Sequence, residues 1–472
     1  MRILLTGATG YIGKRLLPAL IQKGYQVICL VRDRQRFHAP AAYQPYLTVL
    51  EADLTRAESL KQIPTDIDAA YYLVHSMATD RNYGETEKES ARHFRIAMQN
   101  TQVQQVIYLS GITNEDQLSP HLQSRRNVEM ELAKGHYALT TLRAGIIIGS
   151  GSASFEIIRD LVEKLPIMVA PKWLNTRCQP IAIADVIRIL TGALFNKACY
   201  QANFDIGGPD ILSYKQMLLG YASVRNMKRY IYVIPVMTPR LSSYWLYFIT
   251  ATSYKLATAL VDSMKVEVTC RNQYINNILN IQPLSYQQAL KAAFSELKDA
   301  QILSSWKDTL VSGQSQFQLS DFIEVPTFGC YIDKRQMSVN NTTNTLDRIW
   351  RIGGTTGWYY GDWLWLLRGF IDKLFGGVGL RRGRTNMDVI HDGDVIDFWR
   401  VLYANKAEGR LLLYAEMKLP GEAWLEFKLI DQTLIQTATF RPKGLLGRLY
   451  WLSVLPFHHF IFNGLIKKIV GN

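Results

Sequence analysis

The sequence predicts an α/β doubly wound domain with a parallel sheet, followed by an α+β domain. Three observations carry this expectation. Apolar runs of strand length alternate with helical patterns through the first 150 residues. A glycine-rich turn joins the first of these runs to the first helix. After residue 325 the pattern changes to strands in series, closed by one long apolar helix.

In the first part, ILLTG, QVICLV, LTVLEADL, AAYYLVHS, QVIYLSG and TTLRAGIIIG are apolar without alternation, which suits strands covered on both faces. Between them YIGKRLLPALIQKG, ETEKESARHFRIAMQN and SRRNVEMELAKG have helical spacing, and Gly24 and Gly135 stop two of these helices. From 150 to 300 the pattern loosens. IAIADVIRILTGALF and SYKQMLLGYASV read as helices on either side of the turn GGPD, the makings of a substrate lobe. Residues 301–325 are polar and weakly periodic and read as a linker. Residues 326–472 include the amphipathic TNTLDRIWRIGG and the aromatic GWYYGDWLWLLRGFIDKLF. The runs DVIDFWRVLYAN, RLLLYAEMKL, AWLEFKLI and TLIQTATF then form a meander. LGRLYWLSVLPFHHFIFNGLIKKIV closes it as a long helix, expected to kink or break at Pro456.

A chain of 472 residues is too long for one ordinary domain, and 48% hydrophobic content suffices for a large core. Met1 leads directly into a core strand, so no signal peptide is expected. The cysteines at 29, 178, 199, 270 and 330 stand apart, without a C-x-x-C pair. Zinc, redox and disulfide-framework readings are therefore disfavoured, and a reducing location such as the cytoplasm is expected. Net charge is +13, which admits nucleic acid, an anionic membrane surface or an anionic ligand. Part of the excess lies around Arg32, Arg34 and Arg36. Another part follows residue 440, where Arg441, Lys443, Arg448, Lys467 and Lys468 occur with no Asp or Glu. No nucleic-acid partner is expected, and peripheral contact with an anionic membrane is kept as an alternative. No run reaches the roughly 20 apolar residues of a membrane span. SSYWLYFITATSYKLATALV comes nearest and reads as a buried or amphipathic helix.

TGATGYIG places Gly7, Gly10 and Gly13 in a G-x-x-G-x-x-G pattern between strand and helix, with Thr9, Tyr11 and Ile12 completing the loop. Gly7 permits the tight turn, Gly10 lets backbone N–H groups approach a pyrophosphate, and Gly13 lets helix and strand pack closely. The second strand ends at Arg32 rather than at an acid, which favours NADP(H) through a 2′-phosphate, with NAD(H) as the alternative. Asp33, one residue on, would become the ribose partner if the strand were shifted by one.

These motifs, with LVRD, EADL, YYLVHS, YLSG, LRAGIIIG, QPIAIADV and FDIGGPD in order, resemble the atypical, extended short-chain dehydrogenase/reductases of the NmrA-like kind, on a Rossmann fold. The resemblance implies that Asp53 and Leu54 meet the adenine. It puts Val74, His75 and Ser76 beside the cofactor ribose, and has Ser110 bond a substrate carbonyl. Asp185 is implied to be structural. Where the family carries Tyr-x-x-x-Lys, this chain has His121 and Arg125. Histidine can act as a general acid near neutral pH, and arginine can bond the ribose and lower the histidine pKa. The expected function is an NADP(H)-dependent oxidoreductase acting on an apolar or aromatic carbonyl-type substrate. The alternatives are a redox sensor that binds the dinucleotide without turnover, and a lipid carrier with a Rossmann scaffold.

The last 145 residues resemble the START-like (SRPBCC) superfamily, on RIGGTTGWYYGDWLW, LFGGVGLRRGR, GDVIDFWRV, YAEMKLPGEAWLEFKL, ATFRPKGLLGRLYW and PFHHFIF. That resemblance implies a helix-grip fold with a cavity for an apolar ligand. The dense aromatics from Trp358 to Trp365 read more readily as core. Arg381, Arg382 and Arg384 could meet an anionic head group or form a solvated loop. His391, Asp392, Asp394 and Asp397 alternate along a strand edge, so no metal is expected. His458 and His459 adjoin on a helix and diverge, so they are not a ligand pair either.

Overall fold

The computed structural model describes residues 1–34, 37, 39–74, 83–113, 120–234, 261–262, 264–298, 325, 330–374, 377, 379 and 389–471. The expected linker, the Arg381–Arg384 loop and most of the expected helix around 242–261 lie outside them. The described residues fall into two compact units, 1–298 and 325–471.

In the first unit, strands β1 (Arg2–Thr6), β2 (Gln26–Val31), β3 (Leu47–Glu51), β4 (Ala69–Tyr72), β5 (Gln105–Gly111), β6 (Ala138–Ala144) and β7 (Ala202–Ile206) make one sheet. The order is β7-β6-β5-β4-β1-β2-β3, and every pair is parallel. The strands are apolar on both sides because both faces are covered. Ile3, Leu5 and Ile107 pack towards α1 (Tyr11–Gln22) and α5 (Ile183–Ala193). Leu4, Tyr72 and Tyr108 pack towards α2 (Tyr83–Met98) and α3 (Pro120–Leu132). From β1 the chain winds outward to β3, then crosses to β4 on the other flank of β1. That reversal opens a crevice at the carboxyl ends of β1 and β4, the place where open α/β sheets bind ligands.

Described segments between residues 150 and 298, apart from α5 and β7, form a smaller lobe with its own core of Phe155, Leu161, Met217, Tyr221 and Leu290. It is built from α4 (Ala153–Lys164), α6 (Tyr214–Val224), α7 (Tyr286–Lys298) and the parallel pair Ile167–Pro171 with Tyr230–Ile234. Asp185, fully buried on α5, accepts from the Leu284 N–H at 2.7 Å and from Arg188 at 3.0 Å, tying the lobe to the sheet domain.

The second unit contains β8 (Tyr331–Ser338), α8 (Thr342–Trp350), α9 (Asp362–Leu374), β9 (Val395–Ile396), β10 (Trp399–Asn405), β11 (Arg410–Ala415), β12 (Gly421–Ile430), β13 (Thr433–Pro442) and α10 (Gly444–Val470). The strands form an antiparallel sheet in the order β8-β13-β12-β11-β10-β9. Asp431 and Gln432 both take positive φ, as a two-residue turn between β12 and β13 requires. Helix α10 packs on β13 and β8 and sends Phe462, Leu465, Ile466 and Ile469 into the core.

Three expectations change here. DVIDFWRVLYAN is two strands rather than one, because Asp397 turns the chain at φ +55° and pairs Ile396 with Trp399. Strand β8 was not anticipated. Helix α10 runs through Pro456 without a break, and Pro456 stands exposed.

Candidate functional site

The glycine turn at the sheet crevice leaves no room for side chains. Gly7 lies at φ +69°, and a Cβ there would sit 2.8 Å from the Leu73 carbonyl oxygen. A Cβ at Gly13 would sit 2.2 Å from the Gly7 carbonyl oxygen and 2.8 Å from the Ala8 Cα. Gly10 caps α1 with extended backbone, and no side chain caps that helix or places an acid in its first turn. The N–H groups and the positive end of the helix dipole are thus presented to a phosphate at the crevice. Tyr11 and Ile12 turn back onto the sheet core, and the Arg15 guanidinium lies 4.2 Å from the centre of the Tyr11 ring.

Arg32 follows β2 and Asp53 follows β3, side by side at the carboxyl end of the sheet. Desolvation at this crowded strand end lowers the Arg32 pKa and the Asp53 carboxylate raises it, while the side chain keeps an exposed edge. Asp53 also accepts from the Thr55 N–H and hydroxyl, both at 2.9 Å, which pins the turn after β3. Leu54 is buried, and its carbonyl meets His93 Nδ1 at 2.9 Å. Val74 packs on the α2 side of the sheet. His75 and Ser76 lie outside the described residues.

At the carboxyl end of β5, Ser110 is buried and its hydroxyl has no hydrogen-bond partner among the described residues. Arg125, on the first turns of α3, donates from Nη1 to the Leu109 carbonyl at 3.0 Å, one residue from Ser110. Its buried Nε has no partner among the described residues. The Tyr108 hydroxyl donates to the Arg125 carbonyl at 3.3 Å. Burial raises the Tyr108 pKa, and the Arg125 charge draws it down. His121 belongs to α3, so the helix brings it one turn from Arg125, but its side chain lies outside the described residues. Ser124 donates to the buried Glu87 carboxylate, which fixes α3 against α2. Sequence reasoning did not find Tyr108, although its spacing of two from Ser110 puts both on one face of β5.

The second unit holds an apolar cavity of about 340 Å³ between α9, α10 and the sheet. Trp365, Trp399, Phe440 and Trp451 form much of its wall, and Arg368, Tyr450 and His458 are ionisable groups that line it. The Arg368 guanidinium lies 5.4 Å from the centre of the Tyr450 ring. His458 packs edge-on to Trp451 and Phe462, each at 4.9 Å. Burial pushes its pKa down to about 4, so it is neutral near pH 7. The acids around β9 serve separate turns. Asp392 accepts from the Ala404 N–H, Asp394 from the His391 N–H, and Asp397 from the Trp358 indole. Among the described residues no group of three or more His, Cys, Asp or Glu side chains could hold a metal.

Comparison with known proteins agrees with this division. Residues 7–151 match the family described as NAD(P)H-binding, and residues 329–465 match a protein of unknown function (DUF2867). The chain is 20% identical over 223 residues to divinyl chlorophyllide a 8-vinyl-reductase of Cucumis sativus, covering 44% of this chain and 52% of the relative. It is 30% identical over 116 residues to the 4-hydroxy-2-methyl-3-oxo-4-farnesyl-3,4-dihydroquinoline-1-oxide ketoreductase of Stigmatella aurantiaca, covering 23% of this chain and 33% of that one. The chain therefore spans no more than about half the length of these curated relatives. A nucleoside-diphosphate-sugar epimerase of Staphylococcus aureus has a similar fold, with a TM-score of 0.51 and 15% identity, over 62% of this chain and all of that one. The first unit thus has a parallel-sheet, Rossmann-like fold whose residues 7–151 match the NAD(P)H-binding family, and the second is a separate antiparallel-sheet domain whose residues 329–465 match DUF2867.

Proposed function

We propose that the first unit is an NADP(H)-dependent oxidoreductase for an apolar or aromatic carbonyl-type substrate, and that the second is a START-like domain holding an apolar ligand. The observation that carries the first part is the pair of buried polar atoms at the end of β5. Ser110 Oγ and Arg125 Nε lack hydrogen-bond partners among the described residues, beside the crevice of a dinucleotide-binding sheet. Buried polar groups are normally paired, so two such atoms at one strand end suit a ligand that supplies the partners. Nicotinamide, when bound, supplies or accepts the hydride. Ser110 would donate to the carbonyl oxygen, Arg125 would hold a ribose hydroxyl, and His121 would deliver the proton. Reductase relatives at low identity support the same class.

The NADP(H) preference rests on Arg32 at the end of β2. Calorimetry should find NADPH bound more tightly than NADH, and Arg32→Ala should remove the difference. Equal binding of the two cofactors to the native protein would overturn the preference.

A second reading has one observation in its favour. Arg125 already donates to the Leu109 carbonyl, a bond that holds α3 to β5 whether or not a cofactor is turned over. In a redox sensor the dinucleotide would bind and no carbonyl compound would oxidise it. Stopped-flow absorbance of bound NADPH against quinones, enones and aromatic aldehydes separates the two readings.

A further inference from the structure

Helices α9 and α10 expose an unusual amount of apolar surface. On α9, Trp363, Leu366, Phe370 and Leu374 are exposed, Trp363 to 63%. On the first half of α10, Leu446, Leu449, Leu452 and Leu455 are exposed, Leu446 to 74%. Leu367, Ile371 and Phe457 are exposed and also line the cavity, so the apolar face leads into it without interruption. A soluble monomer seldom shows a contiguous apolar patch of this extent.

Charge identifies what covers it. Helix α10 and the residue before it carry Lys443, Arg448, Lys467 and Lys468, and no Asp or Glu follows Asp431. The acids of α9 are turned to internal duties. Asp362 accepts from the Trp358 N–H at 2.8 Å, and the buried Asp372 accepts from the N–H groups of Gly379 and Lys418. A second copy on this face would set basic residues against basic residues. An anionic lipid surface would meet the apolar face with its acyl region and the cations with its head groups, as interfacial helices do. Helix α10 is long and apolar enough to cross a bilayer. Its second half, however, is committed to the core through Phe462, Leu465, Ile466 and Ile469.

We infer that α9 and the first half of α10 dock the second unit onto an anionic bilayer, lying in its interface with the mouth of the cavity towards the acyl chains. The apolar ligand would then enter from the membrane without crossing water.

The test is flotation of the full chain with phosphatidylcholine vesicles, with and without phosphatidylglycerol. The native protein should float with the anionic vesicles, and high salt should weaken this. Leu449→Glu with Leu452→Glu, neither of which lines the cavity, should reduce binding at least tenfold. Lys443→Glu with Arg448→Glu should remove the preference for anionic lipid, and an unchanged thermal transition of the second unit would show that each variant is folded. Native protein that stays in the soluble fraction with both vesicles overturns the inference. So does vesicle binding that survives in both double variants, a native dimer that the leucine variants convert to monomer, or membrane protein that resists carbonate extraction. Vesicle binding needs no nicotinamide, so a failure here leaves the reductase reading untouched.

Discussion

The Trp358 indole N–H donates to the Asp397 carboxylate at 2.7 Å, and both side chains are buried. Asp397 stands at φ +55° in the turn between β9 and β10. The bond therefore clamps that turn to the segment joining α8 and α9, and the Trp358 ring continues the stack to Trp365 at 4.7 Å.

Asp397→Ala leaves a buried indole donor unpaired and keeps a Cβ in left-handed backbone. The expected cost is about 2–4 kcal/mol. Asp397→Asn retains an acceptor and an αL-tolerant residue, so it should cost about 1 kcal/mol. Thermal unfolding should show the loss in the transition of the second unit alone. An unchanged transition in the alanine variant would mean the clamp contributes nothing.

Gly13→Ala puts a methyl group against two backbone atoms that cannot swing aside, the Gly7 carbonyl oxygen and the Ala8 Cα. The first unit should lose about 2 kcal/mol or more, and NADPH affinity should fall at least tenfold. Gly24→Ala is the control. No atom lies within 4 Å of its Cβ, so only backbone strain of about 1 kcal/mol at φ +81° is expected, with cofactor affinity retained.

At the end of β5 the three site residues should respond differently. Ser110→Ala should leave the melting temperature almost unchanged, since the hydroxyl has no partner among the described residues, yet lower turnover. His121→Phe should keep NADPH affinity and cut turnover by about 10²–10⁴. Arg125→Ala should weaken cofactor binding and also cost about 1 kcal/mol through the Leu109 carbonyl. Turnover that persists in His121→Phe would pass the proton to another donor.

His458 gives the second unit a pH dependence with a definite sign. Its pKa is lowered to about 4, by burial first, with Arg335 and Arg368 adding to this and Asp333 opposing it. The unfolded chain, with an ordinary histidine near 6.5, takes up the proton earlier as pH falls. Stability is therefore complete above pH 6.5 and declines between 6.5 and 4, by about 2–3 kcal/mol. His458→Phe should flatten this decline in denaturant titrations. Parallel curves for native and variant would assign the loss to other groups.

The first unit was legible because its sheet is covered on both faces and its strands are uninterrupted apolar runs. The spacing of Gly7, Gly10 and Gly13 marked the crevice for the same reason, since sterics fixed those positions. Strand β8 was not legible. YIDKRQMS has an edge position and a mostly polar composition, and only its pairing with β13 gives it strand geometry. The hairpin inside DVIDFWRVLYAN was hidden because an aspartate, not a glycine, makes the turn, and its reason is the distant Trp358. The unpaired Ser110 and Arg125 atoms depend on how α3 sits against β5, which no local pattern encodes. The cavity between α9, α10 and the sheet was implied by the family resemblance, whereas its aromatics taken alone read as ordinary core.

The pairing of β8 with β13 along eight residues, Tyr331 with Phe440 through Ser338 with Thr433, also sets the order of events during synthesis. The seven strands of the first sheet are complete once residue 206 has emerged, so that sheet can assemble while the rest is being made. The second sheet cannot close from its N-terminal side. Its first strand must wait about a hundred residues for its partner, and the helix that covers them follows later still. A nascent chain halted between 340 and 430 would hold an unpaired strand with three charges in eight residues and, once β10 and β11 have emerged, a partial apolar sheet. Chaperone demand should therefore concentrate in that interval of translation.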